Sequence, residues 1–329
     1  MQLSISNRLF LTVGYLVLFS FLSACHTRSE QAKEPVEDAI SLVYFKAPDT
    51  ANLRNDEFSN SVKYGAKLIA NTAYYLGPEG IVSKNLGNKM NCINCHLAGG
   101  TKAHALNFFE THKKYPQYRS REDRILSLSQ RVNNCVERPH SGKPLHLESK
   151  EMTAIISYIK WVGESYDPTK HKGYGLKEID IKGLQASSER GSIVYEKHCM
   201  SCHQQNGQGL MNANGITYIY PPLWGKDAYQ EASSMHRVLK AASFIKYNMP
   251  NAIASVEQPV LTDQEALDVA AYINDGRIHD RPKATGLCYP NIEKKPIDFF
   301  QGPYVDHFSE QQHAFGPWDE IINYYQDKK

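Results

Sequence analysis

The sequence predicts an all-α fold in which two small domains lie in tandem, followed by an irregular C-terminal extension. The pattern Cys-x-x-Cys-His occurs twice, at residues 92–96 and 199–203. Each copy stands between two stretches with apolar residues at helical spacing, so the two segments indicate a diverged internal repeat.

The composition fits a globular protein and gives no sign of nucleic-acid binding. The chain has 329 residues, of which 41% are hydrophobic and 22% charged, and this suffices for two domains with buried cores. The formal net charge is +2 and falls to +1 without the N-terminal segment that contains Arg8. The sequence has no basic stripe and no nucleic-acid motif, so we expect no nucleic-acid partner.

The N-terminal segment is typical of a bacterial lipoprotein signal peptide. Arg8 precedes an apolar run over residues 9–24, which is short for a membrane span and ends in Leu-Ser-Ala directly before Cys25. We therefore expect residues 1–24 to be a signal peptide and Cys25 to carry lipid on the periplasmic face of a bacterial membrane. The alternative is an ordinary signal peptide and a soluble periplasmic protein. Residues 25–50 are polar, which predicts a tether.

Each Cys-x-x-Cys-His motif is typical of covalent c-type haem attachment. The two thiols add to the haem vinyl groups, and the adjacent histidine becomes the proximal iron ligand. A zinc knuckle or a redox-active cysteine pair would use similar spacing. Two copies in one exported chain, each followed at once by histidine, favour haem. We predict two covalently attached haem c groups. Their binding residues are Cys92, Cys95, His96, Cys199, Cys202 and His203.

The helical stretches around the motifs predict two cytochrome c domains, over residues 51–165 and 184–282. In a small cytochrome c the first and last helices cross, and glycine in the first helix permits their close approach. Gly65 and Gly191 stand in the two first helices. Residues 166–183, rich in Gly, Lys and His, are the expected linker between the domains.

Residues 283–329 form the C-terminal extension. Nine Phe, Tyr or Trp residues lie from Tyr289 to Tyr325, interleaved with proline and glycine, and helical periodicity is weak before Trp318. So many aromatic side chains argue against disorder. We expect an irregular strap that packs over the core, with docking of a partner as the alternative role.

Each haem iron needs a sixth ligand or an open site. In the second domain Met249 precedes Pro250 in the loop before the last helix, where small cytochromes c place a distal methionine. We predict Met249 as that ligand, and filling of a core gap is the structural alternative. Other candidate ligands are Met211, Met235 and Lys246. The carbonyl of Pro221 or Pro222 is predicted to bind the other ring nitrogen of His203.

In the first domain Cys135 is the only soft ligand between His96 and the closing helix. A thiolate on iron stabilises Fe(III) and lowers the reduction potential, and the arginines around Cys135 favour the thiolate. We predict Cys135 as the distal ligand of the first haem. The alternatives are a buried structural cysteine and a disulfide between Cys135 and Cys288.

The segment before Cys135 has apolar residues at helical spacing, which predicts a helix from about residue 121. Arg121, Arg124 and Arg131 then share a face with the thiol. Guanidinium groups suit multidentate oxyanions, so this face predicts an anion-binding pocket beside the first haem. A solvated face, or pairing with haem propionates, would explain the same pattern. The predicted core stripe of this helix is Ile125, Leu128, Val132 and Val136.

These residues carry a resemblance to the dihaem thiosulfate dehydrogenases, whose first domain is similar to the haem subunit of the sulfur-oxidation complex. The resemblance covers about residues 55–283, and the order and spacing of the shared segments are specific. The shared segments are residues 92–101, 118–121, 131–138, 142–145, 220–225 and 244–250. One departure follows Arg138, where Pro139-His140-Ser141 stands in place of the family's Ser-Met-Asn.

The resemblance implies roles for several residues. Cys135 would be the distal ligand of the first haem, and Met249 would serve the second. Arg121 and Arg131 would line the substrate pocket. The implied activity joins two thiosulfates into tetrathionate, and the reverse reaction also fits. Electrons would pass from the first haem to the second and then to a soluble cytochrome or similar acceptor. The competing classes are a dihaem electron-transfer cytochrome without its own substrate and a sulfur-carrier or anion-binding subunit.

Overall fold

The computed structural model describes residues 43–46, 49–172, 175–284, 286 and 288–328. The predicted signal peptide, Cys25 and most of the predicted tether lie outside the described residues. The described part of the chain belongs to one compact unit, and its regular structure is helical apart from three two-stranded sheets. None of its helices is both long and apolar enough to cross a membrane.

The helices and strands follow the predicted repeat. The helices of the first domain are α1 (Glu57–Ala70), α2 (Thr72–Leu76), α3 (Leu97–Gly100), α4 (Leu128–Glu137) and α5 (Lys150–Ser165). Those of the second domain are α6 (Ser188–His198), α7 (Met200–His203), α8 (Val238–Asn248) and α9 (Asp263–Asn274), and the C-terminal extension adds α10 (Glu310–Phe315) and α11 (Asp319–Gln326). The strands are β1 (Val43–Tyr44), β2 (Gln117–Arg119), β3 (Arg124–Leu126), β4 (His171–Lys172), β5 (Leu210–Met211) and β6 (Tyr218–Tyr220).

Side-chain caps fix where the long helices begin. The Asp56 carboxylate accepts a hydrogen bond from the Ser59 N–H at 2.8 Å, so α1 starts directly after it. Ser149 caps α5 in the same way, and Thr262 caps α9 in a reciprocal pair with Glu265. Each cap satisfies backbone N–H groups that have no partner inside the helix.

The first and last helices of each domain cross at a glycine, as predicted. A Cβ atom on Gly65 of α1 would lie 2.0 Å from the carbonyl oxygen of Ala154 in α5. A Cβ atom on Gly191 of α6 would lie 2.0 Å from the carbonyl oxygen of Asp268 in α9. Only a residue without a side chain allows the two backbones to approach this closely, so both crossings depend on glycine.

Two apolar cores correspond to the two domains. The first is built on the α1–α5 crossing, and its most deeply buried members are Val62, Leu68, Leu76, Phe109, Met152 and Val162. The second is built on α6, α8 and α9, and its most deeply buried members include Ala242, Ala266, Leu267, Val269, Ala270 and Ala271. The prediction of two cytochrome c-like cores is confirmed.

The ordered structure of the first domain begins before residue 51. Strand β1 pairs in parallel with β4, in the segment predicted as the linker. Phe45 is buried and contacts the ring of Phe109 edge to face, with centroids 4.8 Å apart. The rings of Tyr166 and His171 complete this aromatic cluster. Part of the predicted tether therefore packs on the first domain.

The C-terminal extension packs as a strap on the second core. Trp318 and Ile321 are completely buried there, and the indole N–H of Trp318 donates to the carbonyl oxygen of His313 at 3.0 Å. His313 in turn lies 3.0 Å from a carboxylate oxygen of Asp306. The strap is therefore an integral part of the second domain's core.

We expect Gly65→Ala and Gly191→Ala to destabilise the protein, because each added methyl group meets a backbone carbonyl that cannot move away cheaply. Overpacking of this kind costs about 1–3 kcal/mol of unfolding free energy. Gly276→Ala is the matched control, since a Cβ atom there meets no atom within 4 Å. Thermal unfolding of the three variants tests this, and equal midpoints for all three would contradict the close crossings.

Candidate active site

The first Cys-x-x-Cys-His motif sits in a turn between α2 and α3. The backbone N–H of Cys92 donates to the hydroxyl of Thr72 at 2.9 Å, and the side chain of Asn94 accepts from the Asn91 N–H at 2.7 Å. The Nδ1 of His96 donates to the carbonyl oxygen of Leu106. This bond orients the imidazole and leaves Nε2 free to bind iron.

The second motif repeats this arrangement. The Nδ1 of His203 donates to the carbonyl oxygen of Pro221 at 2.8 Å. The prediction that Pro221 or Pro222 would provide this carbonyl is confirmed, with Pro221 as the partner. As in the first domain, the bond leaves Nε2 of the histidine for a metal.

An apolar cavity of about 290 Å³ in the first domain reaches Cys92, His96 and Cys135. Its apolar walls come from Ile69, Leu76, Leu86, Leu106, Phe108, Val132, Val136, Leu145, Ile155 and Ile159, among others. An apolar slot with a thiol and an oriented imidazole at its edge suits a covalently attached haem. The residues present therefore fit this cofactor, with His96 and Cys135 as the groups able to hold its iron.

Cys135 lies in α4, and Arg131 lies one turn before it on the same face. A guanidinium N–H of Arg131 donates to the Cys135 sulfur at 2.9 Å. Burial opposes ionisation of this thiol, but the positive charge of Arg131 and contact with His96 outweigh burial and lower the pKa of Cys135 to about 6. Arg131 therefore favours the thiolate form of Cys135, which is the form that binds metals.

The described cysteines are all free, so Cys135 forms no disulfide with Cys288. Cys288 lies in the strap beside Tyr289, at the edge of a separate cavity. The disulfide alternative is thereby excluded for the protein in this structure.

The helix predicted from about residue 121 is wrong at its N-terminal end. Helix α4 begins at Leu128, because the Ser127 hydroxyl accepts from the Gln130 N–H and the Gln130 side chain accepts from the Ser127 N–H. The preceding residues form the β2–β3 hairpin instead. Ile125, predicted in the core stripe, is 70% exposed on that hairpin.

The three arginines therefore do not share one helical face with Cys135. Only Arg131 does, because Arg124 pairs with Arg119 across the hairpin and is exposed. Arg121 still reaches the same pocket, but from the turn of the hairpin. Its guanidinium donates to the carbonyl oxygen of Ala232 in the second domain.

A second cavity of about 360 Å³ lies against Cys92, His96 and Cys135 and is strongly basic. Both domains and the strap contribute to it. Its charged side chains are Arg119, Arg121, Glu122, Arg131, Arg138, Arg237 and Lys240. The structure thus places the three predicted catalytic residues, Cys135, Arg121 and Arg131, in one pocket.

Two of these cations are already neutralised. Arg138 pairs with Glu122, and Arg237 pairs with the buried carboxylate of Asp298. Lys240 has no ion pair within the part of the chain that the structure describes, and burial lowers its pKa. Sequence reasoning missed Arg237 and Lys240, because they enter the pocket through the packing of one domain on the other.

His140, at the departure from the family pattern, is buried at the same site. Its Nδ1 lies 3.2 Å from the side-chain oxygen of Asn88, and its Nε2 lies 4.0 Å from the sulfur of Cys92. Burial lowers the pKa of His140 to about 4, so the imidazole is neutral at physiological pH. It adds no positive charge to the pocket.

Met249 caps the C-terminal end of α8 and is partly buried against the second core, with Pro250 after it. The other candidate ligands of the second haem are bound by another residue or lie in other parts of the fold. The ammonium of Lys246 is 2.6 Å from a carboxylate oxygen of Asp263, and Met235 lines the basic pocket. Met211 lies in strand β5. Met249 therefore stays the predicted distal ligand of the second haem.

The two haem motifs, each in its own small helical domain, define a dihaem c-type cytochrome. A family profile for cytochrome c matches residues 188–276, and one described as the SoxA/TsdA cytochrome c domain matches residues 82–165. The chain accordingly carries two covalently bound haem c groups.

Relatives with assigned names identify the family. A thiosulfate dehydrogenase of Psychrobacter arcticus is 36% identical, over 69% of this chain and 66% of that protein. A thiosulfate dehydrogenase of Stutzerimonas stutzeri is 30% identical, over 82% of this chain and 83% of that protein. The solved structure of a thiosulfate dehydrogenase (TsdBA) from Marichromatium purpuratum has a TM-score of 0.66 and 28% identity, and the match covers 80% of this chain and 55% of that one. The protein belongs to the thiosulfate dehydrogenase family.

We expect Cys135→Ala to raise the reduction potential of the first haem or to open its sixth coordination position, because a thiolate stabilises Fe(III). Met249→Ala should lower the potential of the second haem, since thioether sulfur stabilises Fe(II). Cys288→Ala is the matched control, as this cysteine is also free and partly buried. Spectroscopic redox titration measures both potentials. Identical titrations for Cys135→Ala and Cys288→Ala would rule out thiolate ligation.

Proposed function

We propose that the protein oxidises thiosulfate to tetrathionate at the first haem. Two thiosulfate dianions lose one electron each, a sulfur–sulfur bond forms between them, and one tetrathionate dianion leaves. The observation that carries this proposal is the sulfur of Cys135, held by Arg131 beside His96 in a pocket that Arg121 and Lys240 also line. The protein's membership of the thiosulfate dehydrogenase family supports it.

The charge of the pocket suits this substrate. Glu122, Asp298 and the sulfur of Cys135 are each bound to an arginine, so Arg119, Arg121 and Lys240 leave a net positive potential. Guanidinium groups bind sulfonate-type oxygens with paired N–H donors, and these bonds are stronger than neutral ones. Positive charge also reduces the repulsion between two dianions that must meet in one site.

His96 with Cys135, and His203 with Met249, would each hold one haem, and each haem would supply a site for one of the two electrons that the reaction releases. We propose that electrons pass from the first haem to the second and then to a soluble cytochrome or a similar acceptor. Thiolate ligation lowers the first potential and thioether ligation raises the second, which makes that direction favourable. The same chemistry supports tetrathionate reduction when the acceptor is replaced by a strong donor.

We also propose that the mature protein is a lipoprotein on the periplasmic face of a bacterial membrane, anchored through Cys25. The apolar run before Cys25 supports this location.

The decisive assay uses purified holoprotein with thiosulfate and ferricyanide, followed by tetrathionate with a reduced dye. Thiosulfate-dependent ferricyanide reduction with tetrathionate as product supports the proposal. The alternative, an electron-transfer cytochrome without its own substrate, gives reducible haems and no thiosulfate-dependent turnover. That result would replace the proposed function with the alternative.

Arg121→Ala and Arg131→Ala should each lower kcat/KM for thiosulfate about tenfold or more, because a charge-assisted hydrogen bond contributes roughly 1.5–3 kcal/mol. The lysine variants should recover little activity, since an ammonium cannot form the paired donor geometry. Arg124→Ala is the matched control, because this arginine lies on the hairpin but is exposed. Full activity in both alanine variants would place the pocket elsewhere.

Cys25→Ser should release the protein from membranes without changing its haem content. Mass spectrometry of the wild-type N-terminus should find lipid on Cys25, because cleavage of a lipoprotein signal leaves that cysteine as the first residue. An unmodified terminus that begins elsewhere would contradict the anchor and leave a soluble periplasmic protein.

A further inference from the structure

The strap belongs to the second core through Trp318 and Ile321, yet its first part reaches the basic pocket of the first domain. Tyr289 is 5% exposed and lines that pocket together with Cys135 and Arg121. The strap is thus part of the pocket wall, although it follows both haem domains in the chain.

Two contacts join Tyr289 to Arg121. The backbone N–H of Tyr289 donates to the carbonyl oxygen of Arg121 at 2.9 Å. The guanidinium carbon of Arg121 lies 5.2 Å from the centre of the Tyr289 ring, within the range of a cation–π contact. The guanidinium also donates to the carbonyl oxygen of Ala232. Arg121 is therefore held by both an aromatic ring and a carbonyl oxygen.

The Tyr289 ring is itself fixed by the strap. Phe299 packs against it edge to face, with centroids 4.9 Å apart, and Phe300 packs on Phe299. The neighbouring Asp298 is buried and binds Arg237, another arginine of the pocket. Two points of the strap, Tyr289 and Asp298, therefore act on two pocket arginines in opposite ways. Tyr289 orients Arg121 without neutralising it, whereas Asp298 cancels the charge of Arg237.

Arg121 needs such support because it lies in the turn of a short hairpin and not on a helix. A free arginine side chain loses rotamer entropy when it is fixed. A guanidinium that is already held in the folded protein does not lose that freedom again when the anion binds, so the affinity is higher.

We propose that Tyr289 is a positioning residue that holds the guanidinium of Arg121 for binding of a sulfur oxyanion. The strap thereby sets the affinity of the first-haem pocket for its anionic ligand. This inference rests on the proposed function for the identity of the anion, and its test is binding, which does not require turnover.

The test measures binding of tetrathionate to the fully oxidised holoprotein by calorimetry, so that no electrons are available for reaction. Tyr289→Leu removes the aromatic face but keeps apolar bulk, and it should weaken binding about tenfold, as expected for loss of a buried cation–π contact. Tyr289→Phe keeps the ring and should bind as the wild type does. Tyr289→Ala is a second variant for the case in which the leucine side chain does not fit. It should also weaken binding, because it too removes the aromatic ring.

The double variant Arg121→Ala/Tyr289→Leu separates positioning from a merely structural role. If Tyr289 acts through Arg121, the double variant binds no more weakly than Arg121→Ala alone, because the two changes remove the same interaction. Haem content and the potential of the second haem should be unchanged in every variant. Additive losses, equal affinity of wild type and Tyr289→Leu, or no binding by the wild type would each overturn the inference. If Tyr289→Leu weakens binding but the holoprotein does not turn over thiosulfate, the proposed function is overturned and the inference about Tyr289 stands.

Discussion

The structure depends on the close crossing of the first and last helices in each domain. At Gly65 and Gly191 the two backbones approach so closely that a single methyl group would meet a carbonyl oxygen at 2.0 Å. The crossing fixes α5 beneath the first haem slot, and Ile155 and Ile159 of that helix form part of the slot's wall. The turn before His96 packs on α1, and α4, which carries Cys135, packs on α5, so the crossing links the two residues that can hold the iron.

The proposed chemistry occurs where three parts of the chain meet. Helix α4 brings Arg131 and Cys135, the hairpin brings Arg121, and the second domain brings Lys240. Acidic side chains at the same place are each bound to an arginine, so the pocket stays positive next to the partly buried Cys135 thiolate. A positive surrounding stabilises both that thiolate and an incoming anion, so one electrostatic arrangement serves the metal site and the substrate site.

The sequence allowed prediction of what depends on local pattern. The haem motifs, the helix-crossing glycines and the carbonyl partner of His203 could all be predicted from residue type and spacing. The predicted helix from residue 121 was wrong at its N-terminal end, because the helical spacing of Arg121 and Arg124 does not reveal the hairpin. The pairing of β2 with β3 decides the backbone conformation there. Ser127 and Gln130 form a capping pair, and this was the local signal for the true start of α4. Lys240 and Tyr289 have no such signal, because only tertiary packing brings them to the pocket.

The place of Tyr289 in the chain has a consequence for the order of assembly. It follows both haem motifs and both domain cores in sequence, and the strap that holds it is anchored by Trp318 near the C-terminus. While the chain is made from its N-terminus, the whole N-terminal half exists before this wall of the pocket does. Because Trp318 is also buried in the second core, a chain truncated within the strap would lose this wall of the pocket together with part of that core.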